Sequence, residues 1–325
     1  MLKRVQHDKK KNAIIRTMKT TLENAFDFRQ SPYWKLYMQK VGWVVETVDG
    51  IQIYIRTLPF AISFIKIQHP LEKIPFKKID ALAKKYHAVS VIIEPHILGY
   101  EKDVFIKNKY DITSMHHAPT ATRKIDIHKP LEEIMNSFSE NAKRNVKKAQ
   151  KNNLTIKTVL AKDDKAHKYF EQFFALQKNL TAMKKFYAPG YAESKKKYQA
   201  LKGGSFFVFA YEKNNPKPIA AVWYGYYTNV VTYLQTGITQ KGYDLLANYL
   251  LVVDGIKIGK KLGCNVFDFE SIYDKRYPKE AKRWIGYSEF KSRFHGEEVY
   301  YPPTWIKIYN PVFQWFYKIT LLLSF

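Results

Sequence analysis

Apolar and polar positions along the chain fall into helical and strand periods in turn. Ile14, Ile15, Met18, Leu22 and Phe26 recur at helical spacing after Asn12, predicting a basic amphipathic helix over 12–27. In GWVVETVDGIQIYIRTL, two β-rich runs meet at Asp49-Gly50, the signature of a hairpin. PFKKIDALAKKYHA then predicts a helix and VSVIIEP a buried strand. Residues 131–152 read as helix after Pro130, and 166–201 as helix broken at Ala188-Pro189-Gly190. SFFVFAYE, PIAAVWYGYY and TNVVTYLQTG predict three strands, the first two joined by the turn-like KNNPK. YDLLANYLLVVDGIKIGKKLG predicts one long helix and NVFDFES another buried strand.

Two of these units echo each other. AKKYHAVSVIIE ends at Glu94 and GKKLGCNVFDFE at Glu270, each a helix end with paired lysines followed by an apolar strand closing on an acid. Lys84-Lys85 matches Lys260-Lys261, and Glu94 matches Glu270, at the same offset of 176. An offset near half the chain predicts two related α/β halves. The length of 325 residues also fits two domains. We place them at 1–153 and 154–302, with 303–325 packing back on the first.

Composition narrows the function. Apolar residues make up 46% and charged residues 26%, enough for a globular core. The lone Cys264 excludes an internal disulfide framework or a Cys-rich zinc site. Fifty-four Lys+Arg against 29 Asp+Glu leave a net charge of +25, which predicts a polyanionic partner: nucleic acid, anionic lipid or a phosphorylated substrate. The N-terminus is basic but lacks the apolar run of a secretory signal, and no stretch is long enough to span a bilayer. A cytoplasmic location is therefore expected. The C-terminal NPVFQWFYKITLLLSF is expected to pack as a final helix; the other reading is a shallow membrane-surface contact through Trp315, Phe316 and Lys318.

Charge is densest between 143 and 168, with nine Lys/Arg against Asp163 and Asp164. On a helix, Arg144, Lys147, Lys148 and Lys151 share one face. Like charges so placed repel by a few tenths of a kcal/mol per pair, and a phosphate backbone is the simplest compensation. No P-loop, dinucleotide glycine fingerprint, HExxH or GxSxG occurs. His116-His117 is adjacent, unsuited to chelation, and Cys264 reads as a packed thiol. What remains is catalysis by positioning two substrates and stabilising developing charge.

Several strings, in order, resemble the Fem family of peptidoglycan-bridge aminoacyltransferases: QSPYWKLYMQKVGW, IIEP, PTATRKIDIHKPLEEIMNSFSENAKRNVKKAQKNN, YLQTGIT and, most specifically, RWIGYSEFKSRFHGEEVYYP. Together they span about residues 28 to 317. The resemblance implies an α/β (α+β) chain of two tandem GNAT-like acyltransferase domains, with mixed sheets flanked by helices. It further implies transfer of an amino acid from aminoacyl-tRNA to the stem-peptide amine of a peptidoglycan precursor, lipid-linked or UDP-linked. The donor is itself an activated ester, so no metal or cofactor is expected beyond the aminoacyl-tRNA co-substrate.

Residue by residue, Phe290-Lys291 matches the family's Phe-Lys pair, implying that Lys291 handles the aminoacyl ester. Glu94 falls where the family carries an acid near the acceptor site, to orient or deprotonate the amine or merely to cap a strand. Tyr233 matches a site-lining tyrosine. A family lysine after the first-motif tryptophan is replaced by Met38, leaving Lys35 and Lys40 nearby. The family arginine before the second-domain tyrosine has no clear match around KKFYAPGY, where Lys184 or Lys185 stands in beside Tyr191. Arg144, Lys147, Lys148 and Lys151 become candidate tRNA contacts. Two other readings are carried forward. An acyl-CoA N-acyltransferase would need a small second residue that TQKGYDLLAN lacks. A non-catalytic RNA- or membrane-binding protein would leave SEFKSRF unexplained.

Overall fold

The computed structural model describes Leu22 and residues 25–59, 62–185, 188–278, 282–315 and 317, with the side chain of Arg283 excepted. The predicted helix 12–27 lies, apart from Leu22 and 25–27, outside the described residues, as do Phe316 and Lys318. The chain is an α/β protein with two mixed sheets, one in each of two units: Arg29–Thr120 with Tyr300–Phe325, and Met1–Phe28 with Ala121–Val299.

In the first unit, Ser31 caps helix α1 (Pro32–Lys40), its side chain accepting from Trp34 N–H, with Pro32 in the first turn where its missing N–H is harmless. Strands β1 (Val44–Val48) and β2 (Ile51–Thr57) form the predicted hairpin. Asp49 and Gly50 both take positive φ, as a two-residue turn requires. Strand β3 (Ser63–Gln68) follows antiparallel. Helix α2 (Phe76–Lys85) then crosses to β4 (Ala88–Glu94), parallel to β3 and buried along its length. After helix α3 (Lys102–Lys107) comes β5 (Asp111–Thr113), and the late strand β13 (Thr304–Ile308) inserts antiparallel between β4 and β5. Residues 311–315 are helical, and Phe313 meets Phe64 edge-on at 5.6 Å, leaving Val312 and Trp315 exposed.

In the second unit, β6 (Ala121–Asp126) leads to helices α4 (Leu131–Ser137) and α5 (Glu140–Lys151), and then to β7 (Thr155–Leu160). The segment predicted as one helix over 131–152 is thus two, because Ser139 turns out of the helix and caps α5 through Ala142 N–H. Helices α6 (Ala166–Lys184) and α7 (Tyr191–Leu201) precede β8 (Ser205–Tyr211), β9 (Pro218–Tyr227) and β10 (Val230–Ile238). The long helix predicted at 243–263 is also divided, into α8 (Gln240–Asp244) and α9 (Ala247–Lys261), because Leu246 adopts a left-handed conformation. Strand β11 (Val266–Ser271), helix α10 (Ile285–Ser292) and β12 (Glu297–Tyr300) complete the unit. The sheet order is β12-β6-β11-β10-β9-β8-β7.

The boundary proposed at 153/154 moves to 120/121. Strand β6 pairs antiparallel with β11, which carries residues 121–153 into the second sheet. The sequence echo has a topological counterpart: β4 and β11 each follow a helix, run parallel to the preceding strand and meet an antiparallel neighbour on the other side. The halves differ at one point. Strands β3 and β4 stay paired through Gln68↔Glu94. The pairing of β10 with β11 stops at Thr232↔Asp268, although both strands run on.

Two glycines let α9 lie close on its sheet. A Cβ on Gly255 would come within 2.4 Å of the Tyr224 ring, and one on Gly259 within 2.5 Å of Val231. Gly255→Ala is therefore expected to destabilise the protein by about 1–3 kcal/mol through overpacking, read as a lower urea midpoint with unchanged slope.

Candidate active site

Helix α10 is fixed by its polar and aromatic neighbours. Ser288 Oγ accepts from Tyr273 N–H at 2.5 Å and donates to the Trp284 carbonyl at 2.8 Å. The Phe290 ring packs against Tyr249 and Phe294, at 5.4 and 5.1 Å. Phe290 thus anchors the helix and turns Lys291 inward, where it is 5% exposed. Lys291 Nζ donates to the Ser271 carbonyl at 2.5 Å, on the stretch of β11 that no longer pairs with β10. Burial lowers its pKa to about 8, against the opposing pull of Glu270 and then Asp268. Near neutral pH Lys291 is mainly an ammonium, but one that releases its proton readily.

One tyrosine lies beside it, and two more are linked to that one. The Tyr287 ring centre lies 6.0 Å from Lys291 Nζ, and burial raises its phenol to about 12. Tyr233, just past the last β10–β11 pair, is held well above the usual phenol range by burial, with smaller contributions from Tyr287 and Tyr243. Lys184 Nζ stands 5.4 Å from the Tyr243 ring. The expected residues Lys291, Phe290, Tyr233 and Lys184 therefore gather around the gap between β10 and β11. Tyr191 does not: its hydroxyl donates to Glu171, and its ring packs on Phe174. Lys185 ends α6 in a left-handed conformation.

Beside the gap lies a group of charges that sequence reading did not select. Lys124 and Asp268, both buried, stand directly opposite each other across β6 and β11. Burial lowers the Lys124 pKa and raises that of Asp268, each charge partly sustaining the other. Asp268 Oδ1 accepts from Glu270 N–H at 2.7 Å and lies close to the Thr122 hydroxyl. The available signal was FDFES: acids at alternate positions in an otherwise apolar strand. Tyr287 likewise shares a helix face with Lys291, four residues on.

Glu94 belongs to the other unit, and there its side chain is fully engaged. One oxygen accepts from His117 and Ala118 N–H at 2.5 and 2.6 Å; the other accepts from Gln68 Nε2 at 3.2 Å. This geometry is that of an anchor for the 117–118 segment. Glu94→Ala is expected to cost about 1–2 kcal/mol by removing the acceptor of two partly buried hydrogen bonds, whereas Glu94→Gln retains an acceptor and costs less; thermal unfolding of the pair checks this. Lys35 donates to Thr47 Oγ1 at 3.1 Å, and Lys40 is exposed at the end of α1. Gln30, in the opening motif, is a buried latch that exchanges hydrogen bonds with Gln52 and donates to the Gln68 carbonyl.

Helix α5 buries Ala142, Val146 and Ala149 and exposes the opposite face. Asn136, Glu140, Lys143, Arg144, Lys147, Lys148 and Lys151 line a groove of about 600 Å³ there. Lys143 pairs with Glu140; the other four basic residues form no ion pair among the described residues. Ser139 N–H, at the cap of α5, donates to the Arg293 carbonyl at 2.9 Å, tying this face to the end of the helix that carries Lys291. Among the described residues, no group of three or more His, Cys, Asp or Glu could hold a metal ion. No helix of the described residues is long and apolar enough to cross a membrane.

No family model and no curated protein matches the sequence. Solved structures do match the fold. The crystal structure of FemX superposes with a TM-score of 0.75 at 15% identity, covering 90% of this chain and 94% of that one. The C-terminal domain of a putative lysylphosphatidylglycerol synthetase from Agrobacterium fabrum gives 0.58 at 9% identity, covering 87% and 88%. L-PGS from Bacillus licheniformis gives 0.56 at 10% identity, covering 84% and 86%. The chain has a FemX-like fold, shared with these synthetases.

Proposed function

We propose that the protein is a cytoplasmic aminoacyl-tRNA-dependent aminoacyltransferase acting on the stem-peptide amine of a peptidoglycan precursor, lipid-linked or UDP-linked. The observation that carries this reading is Lys291, buried beside the open end of the β10–β11 pair with the Tyr287 ring 6.0 Å from its Nζ. The acceptor amine attacks the ester carbonyl, a C–N bond forms, and the C–O bond to the tRNA ribose breaks. The amine's proton ends on the departing ribose oxygen. The Lys291 ammonium steadies the negative oxygen of the intermediate. Tyr233, Tyr243 and Tyr287 line the acyl site, with Lys184 at its edge. The α5 face grips the tRNA. In this reading the donor's own ester supplies the activation, so no cofactor takes part. Lys35, Lys40 and Tyr191 remain proposed acceptor contacts, as does Lys185. A peripheral contact with the inner membrane face through Val312 and Trp315 would serve a lipid-linked acceptor.

An acyl-CoA donor fits less well. At the turn after β10, Gly242 N–H is bound by the Thr239 cap, and a Cβ there would meet the Ile219 carbonyl at 2.6 Å. This glycine serves packing against β9 rather than a pyrophosphate. The test is incubation with each charged tRNA and with both precursor types, followed by mass spectrometry of the precursor. A gain of one aminoacyl residue supports the reading; no gain with any combination rejects it.

A further inference from the structure

Strand β11 pairs residue for residue with β6 from Val266↔Asp126 to Asp268↔Lys124, then resumes at Ser271↔Thr122. Phe269 and Glu270 thus share the place opposite Arg123, a β-bulge, and Glu270 takes φ +63°. A non-glycine residue in that conformation is strained, and such strain persists where surroundings enforce it, often at functional sites. Simple alternation would put Glu270 on the same face as Asp268. A bulge re-aims the side chain. Asp268 is already committed to Lys124 across the ladder and to the N–H of Glu270. Lys291 Nζ donates to the Ser271 carbonyl at 2.5 Å, one residue beyond Glu270, so the ammonium sits at the end of the bulge; the charged groups acting on it are Glu270 first and then Asp268, both from β11, and Tyr287 adds its ring from the same helix.

We infer that Glu270 is a positioning residue for Lys291: from the bulge its carboxylate acts through charge on the ammonium that the Ser271 carbonyl holds, so that a buried lysine stays charged. This rests on the proposed role of Lys291 as the group that steadies the ester oxygen, but its test does not need activity. Lys291 is titrated by NMR in full-length protein carrying ¹³C-labelled lysine, its resonance assigned by its loss in Lys291→Met. In Glu270→Gln the Lys291 midpoint is expected to fall by a unit or more, a tenfold loss of ammonium above it. The high-pH limb of turnover should move down with it. Glu270→Gly, at ease at φ +63°, should show the same fall while the thermal midpoint rises. A Lys291 midpoint unmoved in both variants overturns the inference. A shifted midpoint in a protein that transfers no aminoacyl group keeps the inference about Glu270 and rejects only the proposed reaction.

Discussion

Lys291→Met is expected to lower aminoacyl transfer by roughly 10²–10³-fold and, at neutral pH, to make the protein more stable. The two effects share one cause. Folded, Lys291 holds its proton with a pKa of about 8, against an ordinary 10.5, because burial outweighs the attraction of Glu270 and Asp268. At 1.36 kcal/mol per pKa unit, carrying the ammonium in the folded state costs about 3 kcal/mol. Methionine removes that cost and loses the bond to the Ser271 carbonyl, worth about 1 kcal/mol. A net gain on the order of 2 kcal/mol is expected.

The pH dependence of the unsubstituted protein follows with opposite signs for rate and stability. Between pH 8 and the unfolded value, the unfolded chain binds more protons than the folded one, so stability rises with pH there. Below pH 8 the full penalty applies. Lys66, half-buried and lowered by desolvation to about 8, acts in the same direction. Turnover should fall tenfold per unit above pH 8, as the ammonium is lost. Initial rates and urea midpoints between pH 7 and 9.5 check both. A rate that is flat or rising above pH 8, or Lys291→Met retaining more than a tenth of the activity, would remove Lys291 from the proposed role.

Elements with strong local signals were legible in the sequence. The Asp49-Gly50 hairpin, the buried strands VSVIIEP and NVFDFES and the break at Ala188-Pro189-Gly190 all lie where turn chemistry and apolar runs placed them. Where the reading failed, short-range signals yielded to caps and tertiary contacts. Ser139 splits a periodic helix by capping its second half, and Leu246 splits another while both flanks keep helical periodicity. The domain boundary was misplaced because the neighbours of β6 in its sheet, β11 and β12, lie more than a hundred residues further along the chain. Local pattern carries no record of that pairing. At the site, Lys291 was found through a resemblance, whereas Glu270 was visible only as half of an echo. A bulge is set by register between distant strands, so its consequence for Glu270 could not be read from neighbouring residues.

The second large effect concerns the donor. Replacing Arg144, Lys147, Lys148 and Lys151 together with glutamine is expected to weaken tRNA binding by roughly 10²–10³-fold at 0.1 M salt. It should also flatten the slope of log affinity against log salt by about 3, at somewhat under one unit per phosphate contact. The helix itself should survive. Its buried Ala142, Val146 and Ala149, its Ser139 cap and its Glu140–Lys143 pair are untouched. Glutamine is nearly as good a helix former as lysine, and relieving four like-charge contacts at i,i+3 and i,i+4 should stabilise the helix by about 1 kcal/mol. The decisive comparison uses two donors, a full aminoacyl-tRNA and a short aminoacyl ester lacking the tRNA body. If the α5 face serves only to hold tRNA, the substitution raises KM for the first and leaves the second unchanged. Fluorescence anisotropy from 50 to 300 mM salt supplies the slope. An unchanged slope would assign the tRNA contact to some other part of this basic surface and leave the repulsion along α5 as a solvated face with no partner.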